Sequence, residues 1–289
     1  MASGNLSRRH FLQTGAVAAM ACAAGTSVSM GQAKTSPRFK KAVKYHMVTD
    51  KSLSIAEKFS LLKEIGYDGV EIRTADKDSA KVKELLQARD KTELPIHGII
   101  NSNNPDIKTA IDLSKTLGGT SVLVVAGRVS KDVSYDDNYK EWSNRIKENA
   151  PHAEKQGIQL LVENVWNNFL LSPLEMARFI DEINSPAVGV YFDVGNVVRF
   201  GFPEQWIRIL GKRIGKLDIK EYSRKLQKDE GLWKGFNVEI GDGDSDYPAV
   251  VDALEEIGYS GWATAEVKGG DKARLTEIAD RMDKVLELK

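Results

Sequence analysis

An α/β fold, the (β/α)8 TIM barrel, is predicted by three observations. Short β-type runs alternate with amphipathic helical stretches in eight pairs. About 255 of the 289 residues remain after an N-terminal export signal, enough for one large domain with a deep core. No glycine-rich phosphate loop follows the first strand, which argues against an open doubly wound sheet.

The N-terminus comes first. "SRRHFLQTGAVAAMACAAG" sets Arg8-Arg9 ahead of Phe11-Leu12 and an Ala-rich apolar run, the layout of a twin-arginine signal. With cleavage near Gly31-Gln32-Ala33, residues 1–33 are expected to be removed and 34–289 to form a single barrel domain. The run is too weakly apolar to serve as a stable membrane anchor, so the export machinery is the expected partner and the periplasm, or another exported location, the destination. Cys22 has no Leu three residues before it, against lipidation, and as the sole cysteine it leaves with the signal. The mature chain then has no disulfides and no thiolate metal ligands. Forty-one basic residues balance forty-one acidic ones, so nothing points to nucleic acid or an anionic membrane.

The expected strands are "AVKYHM", "GVEIRT", "PIHGII", "SVLVVAG", "QLLVEN", "VGVYFDV", "GKLDIKEY" and "WATAEV". Between them, "SIAEKFSLLKEIG", "SPLEMARFIDEI" and "YPAVVDALEEIGY" carry apolar residues at helical spacing. Ser54, Ser172 and Asp246 suit N-caps, while Gly66, Gly118, Gly157 and Gly258 fall where helices give way to strands. The connection "SRKLQKDEGLWKGFNVEIGDGDSD" after the seventh strand is long and holds Trp233 and Phe236. A loop of that length in this position is expected to be a substrate-shaping lid.

In such a barrel the C-terminal strand ends face the reaction site. The fifth strand ends in Glu163-Asn164, the sixth in Asp193, the seventh carries Asp218 and the eighth ends in Glu266. Four carboxylates brought to one side of the mouth would repel one another, and a shared cation relieves that repulsion. In "GKLDIKEY", Lys216, Asp218 and Lys220 alternate onto one face and Leu217 and Ile219 onto the other. The charged face is read as turning toward the site. Pairing of Asp218 with Lys216 or Lys220 is the alternative to metal ligation.

These motifs, "GYDGVEIR", "GIQLLVEN", "YFDVGN" and "GYSGWATAEV", resemble those of the xylose-isomerase-like barrels of the sugar phosphate isomerase/epimerase group, over nearly the whole mature chain. The resemblance implies one divalent ion held by Glu, Asp, His and Glu on strands five to eight. Glu163, Asp193 and Glu266 match; the seventh strand departs, with Asp218 where the family has His. An all-carboxylate set favours Mn²⁺ or Mg²⁺ over Zn²⁺. Candidate substrate contacts are His97, read near the end of the third strand, His46 in the first, Asn164, Trp166, Lys220 and Glu71. Pairing with Arg73 or Lys44 is the plainer account of Glu71, and His152 is read as a surface or packing residue.

A divalent ion beside a carbonyl and a neighbouring hydroxyl acidifies the C–H between them. Glu163 and Glu266, on opposite sides of the ligand arc, would then remove and return the proton, giving isomerisation or epimerisation of an unphosphorylated sugar or keto-sugar. Expulsion of an oxygen from the next carbon would make the same site a lyase, for instance on a 3-keto-glycoside. A nuclease resembling endonuclease IV is disfavoured by the scarcity of His, and a non-catalytic sugar-binding barrel is the third class. A homo-oligomer is left open.

Overall fold

The computed structural model describes residues 38–288, and the expected signal and cleavage site lie outside them. The compact unit carrying every described element is Ser36–Lys289. Its strands are β1 Phe39–Lys44, β2 Gly69–Arg73, β3 Ile96–Ser102, β4 Ser121–Val124, β5 Gln159–Glu163, β6 Val188–Asp193, β7 Ile214–Ile219 and β8 Gly261–Ala265. They pair in parallel in sequence order, and β8 closes on β1. The helices are α1 Ile55–Ile65, α2 Ser79–Thr92, α3 Ile107–Leu117, α4 Tyr135–Gln156, α5 Pro173–Ile183, α6 Val194–Val198, α7 Pro203–Leu210, α8 Arg224–Glu230, α9 Tyr247–Glu256 and α10 Lys272–Val285.

Local chemistry sets the boundaries. Ser54 accepts from the Glu57 amide while Glu57 reaches back to the Ser54 amide, a full capping box at the start of α1. Ser172 and Asp246 cap α5 and α9 as expected. Gly66 stops α1 at φ 97°, a left-handed conformation that costs glycine nothing.

Two boundaries differ from expectation, and both matter to the site. β1 ends at Lys44, and Tyr45–Met47 turn as a 3-10 helix, so His46 lies beyond the strand. β3 runs on to Ser102, which puts His97 near its start.

The strand faces turned to the helices, among them Val43, Ile72, Val122, Val162, Phe192 and Leu217, join the main apolar core. The barrel lumen divides in two. On the β3 to β6 side, Ile100, Leu123, Leu161 and Tyr191 form a small separate apolar cluster. On the side of β1, β2, β7 and β8 the filling is charged and buried: Lys44, Glu71, Lys216 and Asp218. Gly98 permits this, since a Cβ there would lie 2.9 Å from Glu71 Oε1 and 3.1 Å from Lys216 Nζ.

Candidate active site

Strand parity delivers the four acids to one place. Glu163 and Asp193 are the last residues of β5 and β6, Asp218 is the penultimate residue of β7, and Glu266 follows β8 directly. One carboxylate oxygen from each lies within 4.8 Å of the others. Glu163, Asp193 and Asp218 are buried, whereas the Glu266 side chain keeps 30% of its surface open to the mouth.

Two ammonium groups sit among these oxygens. Lys44 Nζ, from the end of β1, is 2.9 Å from Asp218 Oδ2 and 3.1 Å from Glu266 Oε1. Lys220 Nζ is 3.0 Å from Asp193 Oδ2 and 3.0 Å from Glu266 Oε2. Asp218 thus pairs with Lys44, not with Lys216 or Lys220. Sequence reasoning reached Lys44 only as an alternative partner for Glu71. The available signal was strand parity, which puts Lys44 on the same face as Ala42.

The lysines divide the carboxylates electrostatically. Burial opposes charge on Glu266, but Lys220 and Lys44 outweigh it and hold the carboxyl well below the usual range. The Glu163 carboxyl makes no hydrogen bond or ion pair among the described residues; burial, then the charge of Glu266, pushes it up to about 8. Burial likewise raises Asp193 to about 6, against the pull of Lys220. Burial opposes charge on Lys44 as well, but its contacts to two carboxylates raise it and keep it an ammonium.

The neighbouring candidates take different places. Asn164 is committed to the backbone: its Nδ2 donates to Asp193 O at 2.8 Å and its Oδ1 accepts from Asp193 N at 2.8 Å. It therefore fixes the β5–β6 junction. Trp166 Nε1 donates to Asn196 O at 2.8 Å, leaving the indole face in a cluster of rings. Glu71 is fully buried in the lumen, with the Tyr191 hydroxyl 3.2 Å from its Oε2.

His97 lies deep in the barrel, stacked on Trp262 at 4.4 Å between centroids, with Lys216 Nζ 2.9 Å from its Nδ1. Its expected location near a strand end is corrected. Neither Glu71 nor His97 is at the mouth, because a residue at the start or middle of a barrel strand belongs to the packed lumen. His46 sits in the turn after β1, and burial, then Arg73 and Lys44, lower it to about 4. His152 is on α4, with Nε2 2.6 Å from Asp112 Oδ1.

The donor set fits a hard divalent cation. It is all oxygen, and two of its buried atoms, Asp193 Oδ2 and Asp218 Oδ1, receive no aligned hydrogen bond. Asp193 Oδ2 has Lys220 Nζ at 3.0 Å, and Asp218 Oδ1 is left free to take a cation at the ring.

The family model described as xylose isomerase-like TIM barrel matches residues 59–287. The chain belongs to that family. A second model, for the twin-arginine translocation pathway signal sequence, matches residues 5–25 and marks the chain for export. No helix among the described residues is long and apolar enough to cross a membrane. Curated relatives include a 2-oxo-tetronate isomerase from Pectobacterium atrosepticum, 27% identical over 169 residues, covering 56% of this chain and 59% of the relative. An inosose dehydratase from Lacticaseibacillus casei is 25% identical over 166 residues, covering 53% and 55%. The chain thus spans little more than half the length of these two enzymes. The barrel also superposes on the apo 3-keto-D-glucoside 4-epimerase of E. coli with a TM-score of 0.70, 17% identity and coverage of 86% of this chain and 98% of the other, a likeness of fold.

Proposed function

We propose that this chain is an exported, metal-dependent isomerase or epimerase that abstracts a proton next to a carbonyl of an unphosphorylated sugar or keto-sugar. The observation that carries the reading is the convergence of four strand-end carboxylates, one oxygen of each within 4.8 Å of the others, with two glutamates at opposite ends of the β5 to β8 arc. Two lysines contact Glu266, whereas no ion pair reaches Glu163 among the described residues, so the two glutamates lie in different electrostatic settings. Pairs of carboxyls whose environments drive their pKa values apart are suited to acid and base roles. Glu266 takes the proton from one side of the substrate carbon, and Glu163 supplies one from the other.

Glu163, Asp193, Asp218 and Glu266 would hold the ion, and the oxygen-only set suits Mn²⁺ or Mg²⁺. When bound, such an ion polarises the carbonyl and stabilises the enediolate charge. Lys220 keeps Asp193 and Glu266 in register, and Lys44 does the same for Asp218 and Glu266. The signal and the absence of any glycine-rich phosphate loop support an unphosphorylated substrate met in the periplasm.

A second reading, elimination from a keto-glycoside, is favoured by the inosose dehydratase relative. One experiment separates the two: free sugars and keto-glycosides in D₂O with Mn²⁺, followed by NMR. Deuterium at the carbon next to the carbonyl with an epimeric or isomeric product supports the first. An unsaturated product supports the second. Absence of both exchange and product across the panel overturns the reading.

A further inference from the structure

Outside the carboxylate ring, three βα connections contribute aromatic rings to one wall of the mouth. Trp166, three residues past Glu163, lies 4.8 Å from Phe236, 5.1 Å from Trp233, 5.3 Å from Tyr222 and 6.0 Å from Phe200, centroid to centroid. The shelf begins at the reacting groups: Lys220 Nζ, which contacts Asp193 and Glu266, is also 5.3 Å from the Phe236 ring. It runs outward to Phe200 and Trp233, which are 55% and 65% exposed. At its edge the Arg199 guanidinium lies 5.1 Å from the Trp166 ring and 4.7 Å from that of Phe200.

Mutual packing accounts for Tyr222, which is fully buried, and for the inner face of Trp166. It does not account for Trp233. A large ring left mostly in water forgoes the stabilisation of burial, and a contiguous exposed aromatic patch beside a polar site marks a binding surface. Aromatic faces suit the C–H faces of pyranose rings and the faces of aryl groups, and the guanidinium adds hydrogen-bond donors at the rim.

We infer that this shelf is a second subsite, and that the substrate is a glycoside whose aglycone carries a ring, a disaccharide or an aryl glycoside, instead of a free monosaccharide. The inference rests on the reading above that the reacting group is a sugar. Trp233, carried on the connection after β7, closes the outer end of the shelf; the carboxylate ring takes the reacting sugar at the inner end.

The test uses the mature full-length protein with Mn²⁺ and three glycosides sharing one keto-sugar: methyl, phenyl and glucosyl. The expected result is a KM for the phenyl and glucosyl compounds at least tenfold below that of the methyl compound. Trp233→Ala should raise KM for the two-ring compounds about tenfold with kcat within twofold, and KM for the methyl compound less than threefold. Leu174→Ala, an exposed apolar residue on α5, is the control. Calorimetric binding of the same compounds gives a readout that does not need turnover. If nothing exchanges deuterium or reacts, the proposed function fails; the subsite then stands or falls on whether phenyl binds more tightly than methyl in a Trp233-dependent way. Equal KM and equal binding for one-ring and two-ring compounds would overturn the subsite. So would an equal loss on all three with Trp233→Ala, or a change of oligomeric mass in that variant by light scattering, which would assign the ring to a contact between copies. The phenyl and glucosyl arms distinguish an aryl from a sugar aglycone.

Discussion

Asp218 is wholly buried, which pushes its carboxyl well above the usual range, and Lys44, 2.9 Å away, is the group that pulls it back toward the charged form. Removing one member of a buried ion pair costs about 3–5 kcal/mol, because the other charge is left without compensation. Lys44→Met should therefore lower the stability of the metal-free protein by about that amount in denaturant titration. Adding Asp218→Asn to the same chain should recover most of the loss, and an additive double mutant would show the pair to be uncoupled. Asp218→Asn alone should weaken Mn²⁺ retention at least tenfold, about 1.4 kcal/mol, read as metal content after dialysis. Unchanged content would remove Asp218 from the ligand set.

Glu163→Gln and Glu266→Gln should each lower turnover by about 10²–10⁴-fold, the usual range for losing a positioned acid or base. Metal occupancy measured on the same samples separates a lost proton carrier from a lost ligand. Near-normal turnover in a fully loaded variant excludes that glutamate from proton transfer.

At the scale of an element, the connection from β7 to α9 is built in two parts. Its base is pinned by Glu221, whose carboxylate accepts from the amides of Tyr222, Gly241 and Ser245, each at 3.0 Å. Gly243 is required there, since a Cβ would fall 2.6 Å from Glu221 Oε1. Asp244 adds a second tie: its Oδ2 accepts from Arg224 N at 2.7 Å, and its own amide donates to Tyr222 O at 2.9 Å. The outer part, α8 and the 3-10 turn Leu232–Phe236, carries Trp233 and is largely exposed. Hydrogen exchange should therefore be slow over 241–245 and faster over 226–236, with the outer part slowing when a two-ring glycoside binds. A lid opening as one piece would give uniform exchange across 223–245. Hydrogen bonds to a charged acceptor contribute about 1.5–3 kcal/mol each, so Glu221→Ala should release the base and accelerate exchange over 241–245. Unchanged exchange there would assign the anchoring to Asp244.

On the scale of the whole molecule, the lumen and mouth hold Glu71, Glu163, Asp193, Asp218 and Glu266 against Lys44, Lys216 and Lys220. Counted as formal charges, with Glu163 ionised, the excess of two carboxylates would be balanced by one divalent ion. A ligand that binds only the native state stabilises it by about 2.7 kcal/mol at a concentration of 100 Kd. For a barrel of this size that is a rise in Tm of roughly 2–4 °C per kcal/mol. Mn²⁺ or Mg²⁺ should raise Tm by several degrees and a chelator should reverse it. A Tm that does not respond to either ion up to millimolar concentration would count against a resident divalent metal.

The eight-fold alternation, the caps at Ser54, Ser172 and Asp246, and the carboxylates at four strand ends were legible in the sequence, because each depends on residues within one or two turns of chain. Period-two alternation sends Lys216, Asp218 and Lys220 to one face of β7, and closure of the barrel decides that this face is the lumen. His97 and His46 were misplaced because each role depended on a strand end two residues away, and strand ends are set by pairing with neighbours; β3 also shifts register against β2 at Val70/Glu71. Lys44 was legible as a lysine within the first strand and an alternative partner for Glu71, and nothing more. Its contact with Asp218 joins positions 174 residues apart, and only the hydrogen bonding of β1 to β8 brings that ammonium to the carboxylates. Short-range patterns thus determined which side chains face inward and at which end of the barrel. Which of the carboxylates acquired a lysine, and so how far the effect of burial is offset at each, was decided by tertiary closure, because electrostatic energy depends on distance through space and not on separation along the chain.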